Sequence, residues 1–115
     1  MLRIYHNPRC RKSREGLALL EASGKTFDIV YYLNDIPNKQ ELKQLIYQLG
    51  IEPIELVRTQ EAIWKSEFKG KNLTQDMILE AMCAHPKLIE RPIVILNDKA
   101  VIGRPTENIS RLLID

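Results

Sequence analysis

The chain has 115 residues, 44% hydrophobic and 28% charged, with a net charge of +2. That length suits one domain spanning 1–115 around one core, and so small a net charge offers no basic face for gripping a nucleic-acid duplex. There is no apolar run of membrane-spanning length, no signal-peptide core at the N-terminus, and only two cysteines, far apart in sequence. A chain without membrane or nucleic-acid partners, in a reducing cytoplasm, is therefore expected, with one reactive thiol and one spare.

Leu2–Tyr5 reads as a short strand. It runs into Tyr5-His6-Asn7-Pro8-Arg9-Cys10-Arg11-Lys12-Ser13-Arg14, and a helix follows from about Ser13 to Ser23, with Leu17, Ala18 and Leu20 on its apolar face and Gly24 as its stop. Arg3, Arg9, Arg11, Lys12 and Arg14 all precede the first acid, Glu15. A thiol at such a helix start meets unpaired backbone N–H groups, the positive end of the helix dipole and flanking cations. These favour thiolate and lower a cysteine pKa from ~8.5 into the range ~3.5–7.5. The same geometry seats small oxyanions. Cys10 as a buried hydrophobe is the plainer alternative, but burying Pro-Arg-Cys-Arg-Lys would drag charges inward at high cost.

Phe27–Leu33 reads as a second strand, buried on both faces, which with the first strand and helix makes a βαβ unit with parallel strands. Asn38 and Glu41 have capping-box spacing for a helix through Leu42, Leu45, Ile46 and Leu49 to Gly50. Pro53 opens a short helix ending near Arg58. Ile63, Trp64 and Phe68 suit a helical apolar face, as core or cover, before an exposed turn at 69–72. Thr74 caps a helix through Met77, Ile78, Ala81 and Met82 that Pro86 ends, with Cys83 as buried filler. Ile93–Leu96 and Ala100–Ile102 flank a turn at Asn97-Asp98-Lys99, and a last helix carries Ile109, Leu112 and Leu113. This order gives an α/β chain with a four-stranded mixed sheet, helices on both faces and a helical insertion between the second and third strands. His6, Cys10, Cys83 and His85 lack metal-ligand spacing. Gly16 stands where a Cys-x5-Arg phosphatase loop needs arginine, which excludes that class.

The element order, with a cysteine at the start of the first helix, resembles the thioredoxin-like fold and implies a cis-proline at Arg91-Pro92. A closer resemblance is carried by Tyr5-His6-Asn7-Pro8-x-Cys10-x-x-Ser13-Arg14, Leu56-Val57-Arg58, Glu90-Arg91-Pro92-Ile93-Val94 and Gly103-Arg104-Pro105-x-Glu107. Together these resemble the glutaredoxin-coupled arsenate reductase family, although Arg9, Arg11 and Lys12 make this loop more basic than is usual there. The resemblance implies Cys10 as the nucleophile, with Arg58, Arg91 and Arg104 around the oxyanion. It also implies no metal or bound cofactor, glutathione as reducing co-substrate and glutaredoxin as partner. Ser13 either donates to the thiolate or caps the helix; His6 either tunes the thiol or is structural. Two other activities are compatible with the residues: a glutathione-dependent thiol-disulfide oxidoreductase or deglutathionylase, which needs Cys10 but not the arginines, and a regulator resembling the Spx proteins. Ser13 denies the latter a Cys-x-x-Cys switch.

Overall fold

β1 (Leu2–Tyr5) is the strand from which the sheet extends in both directions, in a computed structural model that describes residues 1–114. It pairs in parallel with β2 (Asp28–Val30), Ile4 opposite Ile29, and antiparallel with β3 (Ile93–Leu96), Ile4 opposite Val94. β3 in turn pairs antiparallel with β4 (Lys99–Ile102), giving the order β2-β1-β3-β4. The mixed four-stranded sheet is thus as expected, and its strands belong to a compact unit made of residues 1–35 and 91 onward.

Two helices of this unit share a core with one sheet face. Leu2, Ile4 and Val94 point to the same side of the pleat, where they cluster with Leu20 of α1 (Arg11–Ala22) and with Ile109 and Leu112 of α5 (Glu107–Ile114). Each such side chain contributes roughly 1.5–3 kcal/mol when fully buried. Leu17 and Leu19 pack on the edge of this cluster, while Ala18 is exposed. α1 begins at Arg11, earlier than its apolar pattern suggests, because the Cys10 carbonyl already accepts the Arg14 N–H at 2.9 Å.

Pro92 sits in a narrow gap. A Cβ on Gly16 would lie 2.9 Å from Pro92 Cγ and 3.0 Å from Ile109 Cδ1; one on Gly103 would lie 2.9 and 2.8 Å from the same two atoms. A proline ring yields little, so both positions need glycine for room. Gly16→Val is expected to destabilise the fold by about 2 kcal/mol or more through overpacking, read as a lowered denaturant midpoint, and to displace Pro92 and with it Arg91. The Arg91–Pro92 peptide is cis, as the fold resemblance implies, and a second cis bond joins Arg104 to Pro105.

The second strand departs from expectation. Only Asp28–Val30 is extended, with Asp28 exposed and Ile29 and Val30 half-buried. β2 is an edge strand, so it has a partner on one side only. It ends because the chain turns at Tyr31, whose carbonyl accepts N–H bonds from Asn34 and Asp35. The β3–β4 turn is also tighter than expected: Lys99 already belongs to β4, and Asn97 takes the left-handed conformation at φ 57°.

Residues 36–90 form a second compact unit. Asn38 caps α2 (Lys39–Leu49) through both bonds of a capping box with Glu41, and Gly50 closes it at φ 68°. Such a cap stabilises a helix by about 1 kcal/mol. α2 buries Leu42, Leu45 and Ile46, and α4 (Gln75–Ala84), capped by Thr74, buries Ile78, Leu79, Ala81 and Met82 while Met77 stays exposed. The Lys39–Asp76 ion pair, 2.7 Å, links α2 to α4 at the surface. Between them lie a 3-10 turn at Pro53–Leu56 and the short α3 (Ala62–Glu67). Trp64 of α3 is buried and stacks on Phe68, with ring centroids 5.2 Å apart, so both serve as core and cover. Val57 and Ile89 form an isolated antiparallel bridge. Cys83 is a free, half-buried thiol whose pKa burial pushes up. Among the described residues no helix is long and apolar enough to cross a membrane.

Candidate functional site

Sheet topology brings four chain segments to one edge of the first unit. β1 ends at Tyr5 and β2, parallel to it, ends nearby; β3 starts there and β4, antiparallel to β3, finishes there. The loop from His6 to Cys10 leaves β1 at this edge, flanked on one side by Tyr31 and on the other by Arg91 and Arg104. The hairpin register explains the last two. Ile93 faces Ile102, the Gly103 N–H donates to the Pro92 carbonyl at 2.8 Å, and Arg91 and Arg104 come next on opposing chains.

Cys10 is the N-cap residue of α1, in extended conformation, and its side chain makes no capping bond. Its N–H donates to the Asn7 carbonyl at 3.0 Å, folding the loop back on itself. Cys10 is only 9% exposed. Arg104 Nη2 donates to Cys10 Sγ at 3.4 Å, while Arg104 Nε is anchored on the Arg91 carbonyl at 2.8 Å. The thiol pKa lies below its ordinary value. Burial acts most strongly and pushes it up, but the Ser13 N–H, the Arg91 guanidinium (by hydrogen bond and by charge) and the Lys12 N–H together outweigh burial. Arg91 Nε is buried and has no hydrogen-bond partner among the described residues. An unmet guanidinium donor beside a thiol of lowered pKa is able to donate to an oxyanion.

The charges adjacent to Cys10 in sequence act differently from what their position suggests. Arg11 and Lys12 pair with Glu15 at 3.3 and 3.5 Å on the surface, and Arg14 Nη1 donates to the Pro8 carbonyl. The cationic side chains acting on the sulfur come from Arg91 and Arg104, eighty and more residues away in sequence. From α1 the sulfur receives backbone N–H groups, at Lys12 and Ser13.

Ser13 and His6 form a buried pair beneath the loop. Ser13 is fully buried, and its Oγ lies 2.7 Å from His6 Nδ1 and accepts the Asn7 N–H at 2.9 Å. The hydroxyl is thus committed to the loop and the imidazole; it makes no helix cap, and it is the Ser13 backbone N–H that serves the thiolate. His6, 3% exposed, meets Tyr31 edge-to-face at 5.9 Å. Its pKa is lowered, by burial above all, with the Ser13 hydrogen bond opposing, the Arg14 charge reinforcing and Glu21 opposing. It is therefore a neutral ring at neutral pH.

Arg58 belongs to the second unit. Its N–H donates to the Leu88 carbonyl, and its guanidinium pairs with Glu61 and, at 3.6 Å, with Glu90. Sequence reading missed Asn108, whose side-chain amide donates to the Ile102 and Arg104 carbonyls and so fixes the turn that carries Arg104. Its only signal was an Asn one turn after Arg104, near a helix start. Among the described residues no three His, Cys, Asp or Glu side chains gather to hold a metal ion.

A strand leading to one cysteine at a helix start, with a cis-proline before the third strand of a β2-β1-β3-β4 sheet, defines a thioredoxin-like protein with one free thiol at the start of its first helix. The chain belongs to the ArsC family, whose sequence model matches residues 5–112. It is 42% identical over 114 residues to an arsenate reductase of Neisseria meningitidis, with 97% of each chain covered. It is 44% identical over 112 residues to an arsenate reductase of Haemophilus influenzae, covering 96% of this chain and 97% of that one. The solved structure of an arsenate reductase from Vibrio cholerae matches with a TM-score of 0.92 at 46% identity, over 96% of this chain and 95% of that one.

Proposed function

We propose that this protein is an arsenate reductase in which Cys10 attacks the oxyanion and glutathione with glutaredoxin completes the reduction. The observation that carries this is a thiol of depressed pKa with Arg104 Nη2 at 3.4 Å and an unpartnered Arg91 Nε nearby. A thiolate approaching arsenate meets like charge. Two guanidiniums offset that repulsion and donate to oxygens that gain charge as the As–S bond forms. Arg58 is assigned the third guanidinium on the strength of the family's motif.

Cys10 sulfur bonds to arsenic, and an arsenate oxygen leaves as water after taking up protons. The thiol of glutathione then bonds to arsenic as a second oxygen takes up protons and leaves as water. Glutaredoxin's thiol takes glutathione's sulfur in turn, leaving the bonding pair on arsenic as As(III), and water hydrolyses the remaining Cys10–As bond to free Cys10 and arsenite. Two external thiols become one disulfide, which supplies the two electrons that take As(V) to As(III). No bound cofactor is needed, because the reductant arrives as a co-substrate.

The test is NADPH oxidation coupled through glutathione reductase, with arsenate, glutathione and glutaredoxin present. Arsenate-dependent oxidation that stops when either thiol component is omitted is the expected result. Turnover of glutathione mixed disulfides, with none of arsenate, would make the protein a thiol-disulfide oxidoreductase instead.

A further inference from the structure

A cavity of about 310 Å³ opens beside the Cys10 loop, bounded by His6, Asn7, Arg9, Tyr31, Leu33 and Asn34. It lies on the β2 side of the loop, whereas Arg91 and Arg104 approach Cys10 from the β3–β4 side. We propose that this cavity is the docking site for a peptide thiol bearing free carboxylates, of the glutathione type, with Arg9 holding a carboxylate of the peptide. The assignment of a thiol co-substrate rests on the function proposed above; the place and the residues are read from this unit alone.

Three features favour such an occupant. The first is Arg9. Of the cations in the loop and first helical turn, Arg11 and Lys12 are paired with Glu15 and Arg14 is bound to the Pro8 carbonyl. The Arg9 guanidinium is exposed and has no ion-pair or hydrogen-bond partner among the described residues, and it lines the cavity. The second is the mixed wall: Tyr31, 44% exposed, and half-buried Leu33 offer apolar contact, and the Asn7 and Asn34 amides suit peptide groups. The third is position. The cavity borders the residue before Cys10 but leaves the guanidinium side of the sulfur free, so an oxyanion and a thiol can flank Cys10 together. A volume near the lower end of small-molecule sites, ~300–1,000 Å³, suits a tripeptide.

The decisive measurement uses S-methylglutathione, which cannot exchange disulfides, titrated into the full chain and followed by amide NMR. Binding in the millimolar range or tighter, with shifts at His6, Asn7, Tyr31 and Asn34, is expected. Arg9→Ala should weaken it about tenfold, the scale of one charge-assisted hydrogen bond. Esterifying the probe's carboxylates should weaken wild-type binding similarly and have a much smaller effect in Arg9→Ala. In turnover, Arg9→Ala should raise the KM for glutathione and leave the KM for arsenate unchanged. Shifts confined to the Pro92–Arg104 side, unaltered affinity in Arg9→Ala, or no binding at millimolar probe would each overturn the assignment. Absence of arsenate turnover in the wild type would instead defeat the proposed function, and the titration would still decide the site.

Discussion

Cys10→Ser is expected to lower kcat/KM for arsenate by at least about a thousandfold while leaving the fold intact. The site lowers the Cys10 thiol pKa by aiming the Lys12 and Ser13 N–H groups and two guanidiniums at the sulfur, against the upward push of burial. An alcohol's proton is far less acidic than a thiol's, so the same surroundings leave serine protonated. A base is not at hand to remove that proton, since His6 Nδ1 is engaged with Ser13 and its depressed pKa makes it a poor proton acceptor. The substitution is small and Arg104 keeps its anchor on the Arg91 carbonyl, so thermal unfolding at acidic pH should change by less than about 1 kcal/mol. The pH dependence carries a sign. Cys10 has a depressed folded pKa, so its contribution to stability is fully present above the unfolded thiol's value and is lost as pH falls through the folded one. Wild type and Cys10→Ser should therefore differ more in melting temperature at alkaline pH than at acidic pH. A gap that is constant with pH would remove the thiolate.

The parts of this molecule that local chemistry decides were legible in the sequence. Asn38, Glu41 and Gly50 bracket α2 because capping and left-handed closure involve residues within one turn of each other. The strand–Cys10–helix junction was legible for the same reason. Arg91 and Arg104 were named only through the family resemblance; the hairpin register explains why they meet, since once Ile93 faces Ile102, continuing the pairing sets the two arginines opposite each other. What failed was information that only the sheet contains. The apolar run Phe27–Leu33 looked like a central strand, because periodicity does not say that β2 is an edge or that Tyr31 begins a turn. The charge around Cys10 was misattributed because neighbours in sequence need not be neighbours of the sulfur. Arg11 and Lys12 found Glu15 one turn along an exposed helix face, while guanidiniums from the far end of the chain reached Cys10. Ser13's tie to His6 was equally hidden, since either residue alone had several possible partners.

Arg91→Ala should reduce kcat/KM for arsenate about a hundredfold to a thousandfold, the usual cost of removing one donor aimed at charge that grows in the transition state. The variant isolates the guanidinium. Arg104 is anchored on the Arg91 backbone carbonyl, which alanine retains, so the second arginine stays at the sulfur. Two readouts should move together. Iodoacetamide alkylation of Cys10 should reach half its maximal rate at a higher pH than in wild type, because a hydrogen bond and a positive charge that favour thiolate are lost. Arsenate turnover should fall much further than alkylation at a pH where both enzymes are fully thiolate, because the oxyanion contacts are lost as well. Arg91→Lys separates these contributions: a point charge restores much of the thiolate but cannot reproduce a planar fork around tetrahedral oxygens. It should therefore recover the alkylation profile more completely than arsenate turnover. Exchange with glutathione mixed disulfides, whose sulfur needs no oxyanion seat, should fall no more than the thiolate fraction does. Equal losses in all three assays would mean that Arg91 only sets the acidity of Cys10 and that the oxyanion is held elsewhere.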